Sequence, residues 1–238
     1  MDSSPVLRAV IFDVDDTLVN FTRANEAGFR RYLRDVAPDM DASEIDAAEC
    51  AWNAIGEIHF AAYLAGHISF REQRRRRVRH FLEHCGVLID GADGTDSWFA
   101  AYLAHCDALL VAFDDVRPAL DMLRAAGLRI GALSNNTHLN QDRRLRLVGL
   151  RADFDALICC DDVGGVAKPD SRIFHAGCAA LGVHAGEAAY VGDDLEVDGR
   201  GAALAGLSAY WLNRRTDAVD REIPTVRDLV EFASDAIG

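Results

Sequence analysis

The sequence predicts an α/β fold: a doubly wound, Rossmann-like parallel sheet with an α-helical subdomain inserted early. Three observations carry this expectation. The short apolar run Val10-Ile11-Phe12 leads straight into Asp13, Asp15 and Asp16, as expected for a central parallel strand covered on both faces. From Phe113 to the C-terminus, strand-like and helix-like periods alternate, the pattern of successive βα units. Between residues 20 and 112 the apolar period is helical throughout. The expected division is a core of 1–19 and 112–238 with helices inserted over 20–111, in the first crossover.

Taken in order, residues 21–36 carry Phe21, Ala24, Ala27 and Val36 at helical spacing. A second helix is expected from Ala42 to Leu64, stopped at Gly66. Ser69-x-x-Glu72 has the form of a capping box, opening a helix that runs to about Cys85. A fourth lies within 95–110. The core then continues with helix 116–126, strand 128–133, helix 138–148 and strand 156–160. Helix 170–181, strand 188–191, helix 195–205, strand 207–212 and helix 225–236 complete it. Glycines 127, 149 and 182 follow three of these helices, where a left-handed residue ends a helix at little cost.

Composition narrows the function. A net charge of −13 argues against binding a nucleic-acid polymer, which takes a basic surface. No apolar run approaches bilayer length and no signal-like leader opens the chain, so a cytoplasmic, non-membrane protein is expected. The six cysteines lack CxxC spacing and read as reduced core residues. Among the 25 basic residues one alone is lysine, Lys168. A chain that uses arginine everywhere else and keeps one lysine points to a place for a compact ammonium.

Four polar clusters fall after expected strands or in the loops between them: Asp13/Asp15/Thr17, Ser134/Asn135, Lys168 and Asp193/Asp194. Parallel-strand ends share one edge of a sheet, so these clusters can converge. Three acids within four residues need an offsetting charge, and hard carboxylate oxygens suit Mg²⁺. Blander readings stand beside this one. Asp15 or Asp16 could cap a helix, Ser134-Asn135 could be an N-cap, and Asp194 could simply favour a helix start.

Asp13-Val14-Asp15-Asp16-Thr17 resembles the DxDx[TV] signature of the haloacid dehalogenase (HAD) superfamily. Ser134-Asn135, Lys168-Pro169 and Gly192-Asp193-Asp194-x₃-Asp198 resemble its second, third and fourth motifs, in the family's order and spacing. The inserted helices resemble its C1-type cap. The run Phe12–Phe21, Trp52 and Tyr210-Trp211-Leu212-Asn213 are similar to the branch of pyrimidine 5′-nucleotidases and N-acylneuraminate-9-phosphatases. The resemblance implies an HAD-type core and a Mg²⁺-dependent phosphomonoesterase acting on a small phosphorylated metabolite, for example a nucleoside monophosphate or a sugar phosphate.

Carried over by residue, it implies Asp13 as nucleophile, forming an aspartyl-phosphate, and Asp15 as the acid and base that serves the leaving alcohol and then water. Asp13, the Asp15 carbonyl and Asp193 would hold Mg²⁺, with Asp194 or Asp198 in its outer shell. Thr17, Ser134 and Asn135 would hold the nucleophile loop and the phosphate. Lys168 would offset their charge, with Asp198 as an alternative partner orienting it. A phosphomutase of the β-phosphoglucomutase kind shares all four motifs. Dehalogenases of the superfamily lack an acid at the place of Asp15, because halide leaves without a proton.

In the insertion, a helical wheel puts Arg74 in the middle of an apolar face formed by Phe70, Val78, Phe81, Leu82 and Cys85. Its expected partner is a carboxylate such as Glu49 or Glu57, or else an anionic or planar substrate group. Asn20, Phe21 and Asn25 are further candidate lining residues. Trp52 and His59 read as core of the insertion.

Overall fold

A computed structural model of the protein describes residues 6–88 and 91–238. The chain forms two compact units, one of residues up to Asn20 with Val111–Gly238, the other of Phe21–Leu110. The first is built on a six-stranded sheet: β1 (Ala9–Phe12), β2 (Arg129–Ser134), β3 (Ala156–Cys159), β4 (Ala188–Gly192), β5 (Ser208–Leu212) and β6 (Thr225–Val226). The strands are all parallel, in the order β3-β2-β1-β4-β5-β6. β1 is central, with Ile11 opposite Gly131 on one side and Tyr190 on the other. All four of its residues are buried. Phe12 meets Phe154 and Phe232 edge-on, at centroid distances of 6.3 and 5.7 Å. Burying an aromatic side chain of this kind contributes about 1.5–3 kcal/mol, so the strand that carries the acids is anchored by its own apolar half.

The second unit is helical: α1 (Phe21–Val36), α2 (Ala42–Leu64), α3 (Phe70–His84) and α4 (Gly91–Asp107). Asp41 and Glu44 form a reciprocal capping box at α2, and Ser69 Oγ accepts from Glu72 N at α3, 3.1 Å. The fourth helix starts four residues before the expected 95. Trp52 is fully buried and stacks on Phe29 at 5.2 Å, with Phe81 and Tyr102 edge-on to it. Gly28 permits the α1–α4 approach, since a Cβ there would lie 2.6 Å from Cys106 Cα. Trp52 therefore belongs to the core of the unit. His59 does not: it is half-buried and faces His80, Nε2 to Nδ1 3.4 Å.

The arginines of α3 sort differently from the wheel. The Arg74 guanidinium lies over the rings of Phe70 and Phe99, 4.5 and 4.7 Å from their centroids, while Glu49 pairs with Arg30. Arg77 lies over Trp52, its Cζ 3.8 Å from the ring centroid, and its Nε donates to the Trp52 carbonyl. Gly56 leaves room for it, because a Cβ there would fall 2.6 Å from Arg77 Cζ. A guanidinium is flat and weakly hydrated, and packs on rings as readily as it pairs with an acid.

The core's remaining helices are α5 (Val116–Ala125), α6 (His138–Leu147), α7 (Ser171–Ala180), α8 (Gly201–Leu204) and α9 (Leu229–Ile237). Two expectations change here. The helix expected over 195–205 opens as a π-helical turn, Leu195–Arg200, before α8. The last helix begins only at Leu229, capped by Asp228, because Thr225–Val226 pairs with Trp211–Leu212 as an edge strand. Two residues are too few to show a period of two. Of the cysteines, 106, 159, 160 and 178 are buried and 50 and 85 exposed. Among the described residues, no helix is long and apolar enough to cross a membrane.

Candidate active site

Asp13 follows β1 directly, and its N–H continues the ladder to Val191 O at 2.9 Å. Its carboxylate is thereby fixed at the carboxyl end of the central strand, between the ends of β2 and β4. Lys168, from the loop after β3, reaches it with Nζ 2.5 Å from Asp13 Oδ1. The same ammonium lies 2.7 Å from Asp198 Oδ1 and 3.0 Å from Tyr190 Oη. Tyr190 Oη in turn donates to Asp198 Oδ1 at 2.9 Å. All four side chains are buried. The three protons of an ammonium match three such acceptors, which a planar guanidinium could not do in the same space.

Charge in this pocket is strongly coupled. Burial pushes the Asp13 carboxyl well above its ordinary range, Asp198 and Asp193 add to that, and Lys168 opposes it. Burial alone would lower Lys168, yet Asp13 and Asp198 outweigh it and hold the ammonium charged. Asp193 is raised to about 7 by burial and by the Asp198 and Asp16 charges. Carboxylate oxygens of Asp13, Asp193 and Asp198 lie within 4.8 Å of one another. Three hard anionic donors this close together form a donor set suited to a small divalent cation such as Mg²⁺.

Asp194, expected among the metal ligands, is elsewhere. Its Oδ1 accepts from the backbone N–H groups of Glu196 and Val197 at 2.9 and 2.8 Å, capping the π-helical turn. Orphan N–H groups at a helix start attract an acid without any metal. Asp198 takes the third place in the cluster, and it also accepts from Asp194 N at 3.2 Å. Gly192 makes this approach feasible: a Cβ there would stand 2.4 Å from Asp198 Cγ.

Asp15 points the other way, toward α6. Arg144 Nη1 lies 2.6 and 2.7 Å from its two oxygens, and Gln141 Nε2 donates to Oδ2 at 2.8 Å. The chain turns between the two acids with Asp16 at φ +61°, and asparagine or aspartate tolerates that region best after glycine. Ser134 Oγ accepts from Asn136 N and from the same Gln141 Nε2, at 3.2 and 2.8 Å. Asn135 is not free to face a ligand. Its carboxamide grips the Lys168 backbone at both ends, with Oδ1 accepting from Lys168 N (2.6 Å) and Nδ2 donating to Lys168 O (3.0 Å). It positions the lysine. Thr17 is fully enclosed, which suits support of the loop and not contact with phosphate. Arg74 belongs to the helical unit and lies against its rings there.

The chain matches the haloacid dehalogenase-like hydrolase family over residues 7–206. It belongs to that family. The hydrolase is 30% identical to a glyceraldehyde 3-phosphate phosphatase of Methanopyrus kandleri, over 97% of this chain and 94% of that one. It is 28% identical to an (S)-2-haloacid dehalogenase of a Pseudomonas species, over 72% of this chain and 74% of the other. In fold it resembles a magnesium-bound HAD-hydrolase of Bacillus subtilis, with TM-score 0.79 at 21% identity, covering 97% and 99% of the two chains.

Three polar residues of the hydrolase's site went unread in the sequence: Tyr190, Gln141 and Arg144. Tyr190 carries the one hydroxyl in Ala188–Gly192. Gln141 and Arg144 stand three apart on one face of α6 and both are buried. That spacing could have exposed them, since charged residues on the inward face of a helix need a partner.

Proposed function

We propose that the protein is a Mg²⁺-dependent phosphomonoesterase acting on a small phosphorylated metabolite through an aspartyl-phosphate. The observation that carries the reading is the buried Asp13 carboxylate, hydrogen-bonded to Lys168 and clustered with Asp193 and Asp198, with a second acid, Asp15, two residues on. Asp13, Asp193 and Asp198 would hold the ion, which supplies positive charge to the phosphate oxygens and to Asp13.

Asp13 attacks phosphorus through its carboxylate oxygen, and Lys168 balances the charge it keeps. Asp15 gives a proton to the departing alcohol oxygen. It then takes one from the water that attacks the aspartyl-phosphate, which restores Asp13. Ser134 and backbone N–H groups of the loops would hold the phosphate oxygens. The presence of Asp15 favours a phosphate ester over the carbon–halogen bond of the dehalogenase relatives, for which no proton is needed. The helical unit is proposed as the cap that sets substrate choice, and the compartment as the cytoplasm.

The test is hydrolysis of a panel of phosphate esters (nucleotides, sugar phosphates, three-carbon phosphates and p-nitrophenyl phosphate) with Mg²⁺ and with EDTA. Phosphate release that needs Mg²⁺ and is lost in Asp13→Asn supports the reading. Undiminished turnover in Asp13→Asn sinks the covalent route, and glucose 6-phosphate formed from β-glucose 1-phosphate would make the protein a mutase.

A further inference from the structure

Helix α6 turns an unusual face inward. Its buried residues are Asn140, Gln141, Arg144 and Leu145, so three of the four are polar or charged. Gln141 is 0% and Arg144 4% exposed. Buried donors of this kind are kept only where they are used. Both reach one carboxylate: Arg144 Nη1 spans the two oxygens of Asp15, and Gln141 Nε2 donates to Oδ2. Gln141 Nε2 also donates to Ser134 Oγ, at 2.8 Å. Asp15 itself stands on a turn, its side chain 24% exposed.

We infer that Gln141 and Arg144 are positioning residues for proton transfer: they fix the orientation of the Asp15 carboxyl group at the edge of the site and tie it to Ser134. The inference rests on the phosphomonoesterase reading. A carboxyl group that must meet one oxygen in a narrow range of distance and angle loses most of its effect when it can rotate away. The anchor is separate from the Asp13–Lys168–Asp198 pocket, so it can be weakened while the nucleophile stays in place.

The experiment compares kcat/KM for two classes of ester in Arg144→Met, Gln141→Leu and Arg144→Lys. p-Nitrophenolate leaves as a stable anion and needs little help from an acid, whereas an alkoxide does. For alkyl phosphates, kcat/KM falls at least about tenfold further than for p-nitrophenyl phosphate in Arg144→Met and Gln141→Leu. Arg144→Lys recovers part of the difference. A merely structural role lowers both esters together, and an equal fall, or none, overturns the inference. Should Arg144→Met fail to fold, Gln141→Leu reads the same ratio in a nearly isosteric background. Wild-type protein that hydrolyses neither ester removes the phosphomonoesterase reading and the inference with it. Wild-type turnover lost in Asp13→Asn, with an unchanged ester ratio in the α6 variants, overturns the inference alone.

Discussion

Lys168 Nζ lies 2.5 Å from Asp13 Oδ1 and 2.7 Å from Asp198 Oδ1, so the chain's single lysine joins the first motif to the last. Removing it leaves two buried carboxylates facing each other. Lys168→Met is expected to cost about 3–5 kcal/mol in urea unfolding and to lower kcat on p-nitrophenyl phosphate by about 100-fold or more. Lys168→Arg should rescue neither, because the fork cannot reach Asp13, Asp198 and Tyr190 together.

Metal-free protein is expected to lose stability as pH rises. Asp193 titrates at about 7 in the fold against an ordinary 3.8. Between those values the folded state holds a proton that the unfolded chain has lost. The Asp193 contribution to stability therefore declines from about pH 4 to 7. Added Mg²⁺ competes with that proton, so its stabilising shift in Tm should be larger at pH 8 than at pH 5.5. Asp193→Asn should shrink both dependences, and a Mg²⁺ shift that is equal at the two pH values would count against the cluster as its site.

Gly192→Ala tests the packing behind Asp198. The added methyl would stand 2.4 Å from Asp198 Cγ, and the strand cannot retreat without breaking its pairing to β1 and β5. A loss of about 1–3 kcal/mol is expected. Mg²⁺ affinity, followed by isothermal calorimetry, should fall as the carboxylate is displaced.

Asn135→Ala should loosen the Lys168 loop without touching the lysine. Two backbone partners lose their bonds, at about 1–3 kcal/mol. In steady-state assays kcat falls, and in a Lys168→Met background Asn135→Ala adds little further, because both changes act on the same ammonium.

In the helical unit, Trp52→Ala is expected to cost about 3–5 kcal/mol and to leave the order of preferred substrates unaltered. Arg74→Ala loses two ring contacts, each worth about 0.5–2 kcal/mol. A changed ranking across the phosphate panel assigns Arg74 to substrate choice; an unchanged ranking with lower Tm assigns it to the fold.

The sequence was a good guide wherever one residue type at one spacing sufficed. The β1 run, the helix periods of the insertion and the four polar clusters all lie on the elements they were expected to occupy. It was a poor guide to partners. Asp194 and Asp198 are both acids within one helix start, and only the close approach allowed by Gly192 separates the cap from the cluster member. Asn135 reads as a ligand donor until its carboxamide is seen on the Lys168 backbone. The pairing of Asp15 with Arg144 joins residues 129 apart in sequence, a contact that no local pattern encodes. β6 was lost because two residues carry no period.

Asp13 and Asp15 are moored to different partners, Asp13 through Lys168 to Tyr190 and Asp198, Asp15 to Gln141 and Arg144 of α6. That division gives the scaffold a modular reaction chemistry. On the proposed mechanism, changes confined to α6 would retune or discard proton delivery by Asp15, and so exchange one leaving group for another, while the covalent half of the cycle would keep its machinery. A library built on α6 alone is then a route to new bond-cleaving specificities within an unaltered nucleophile pocket.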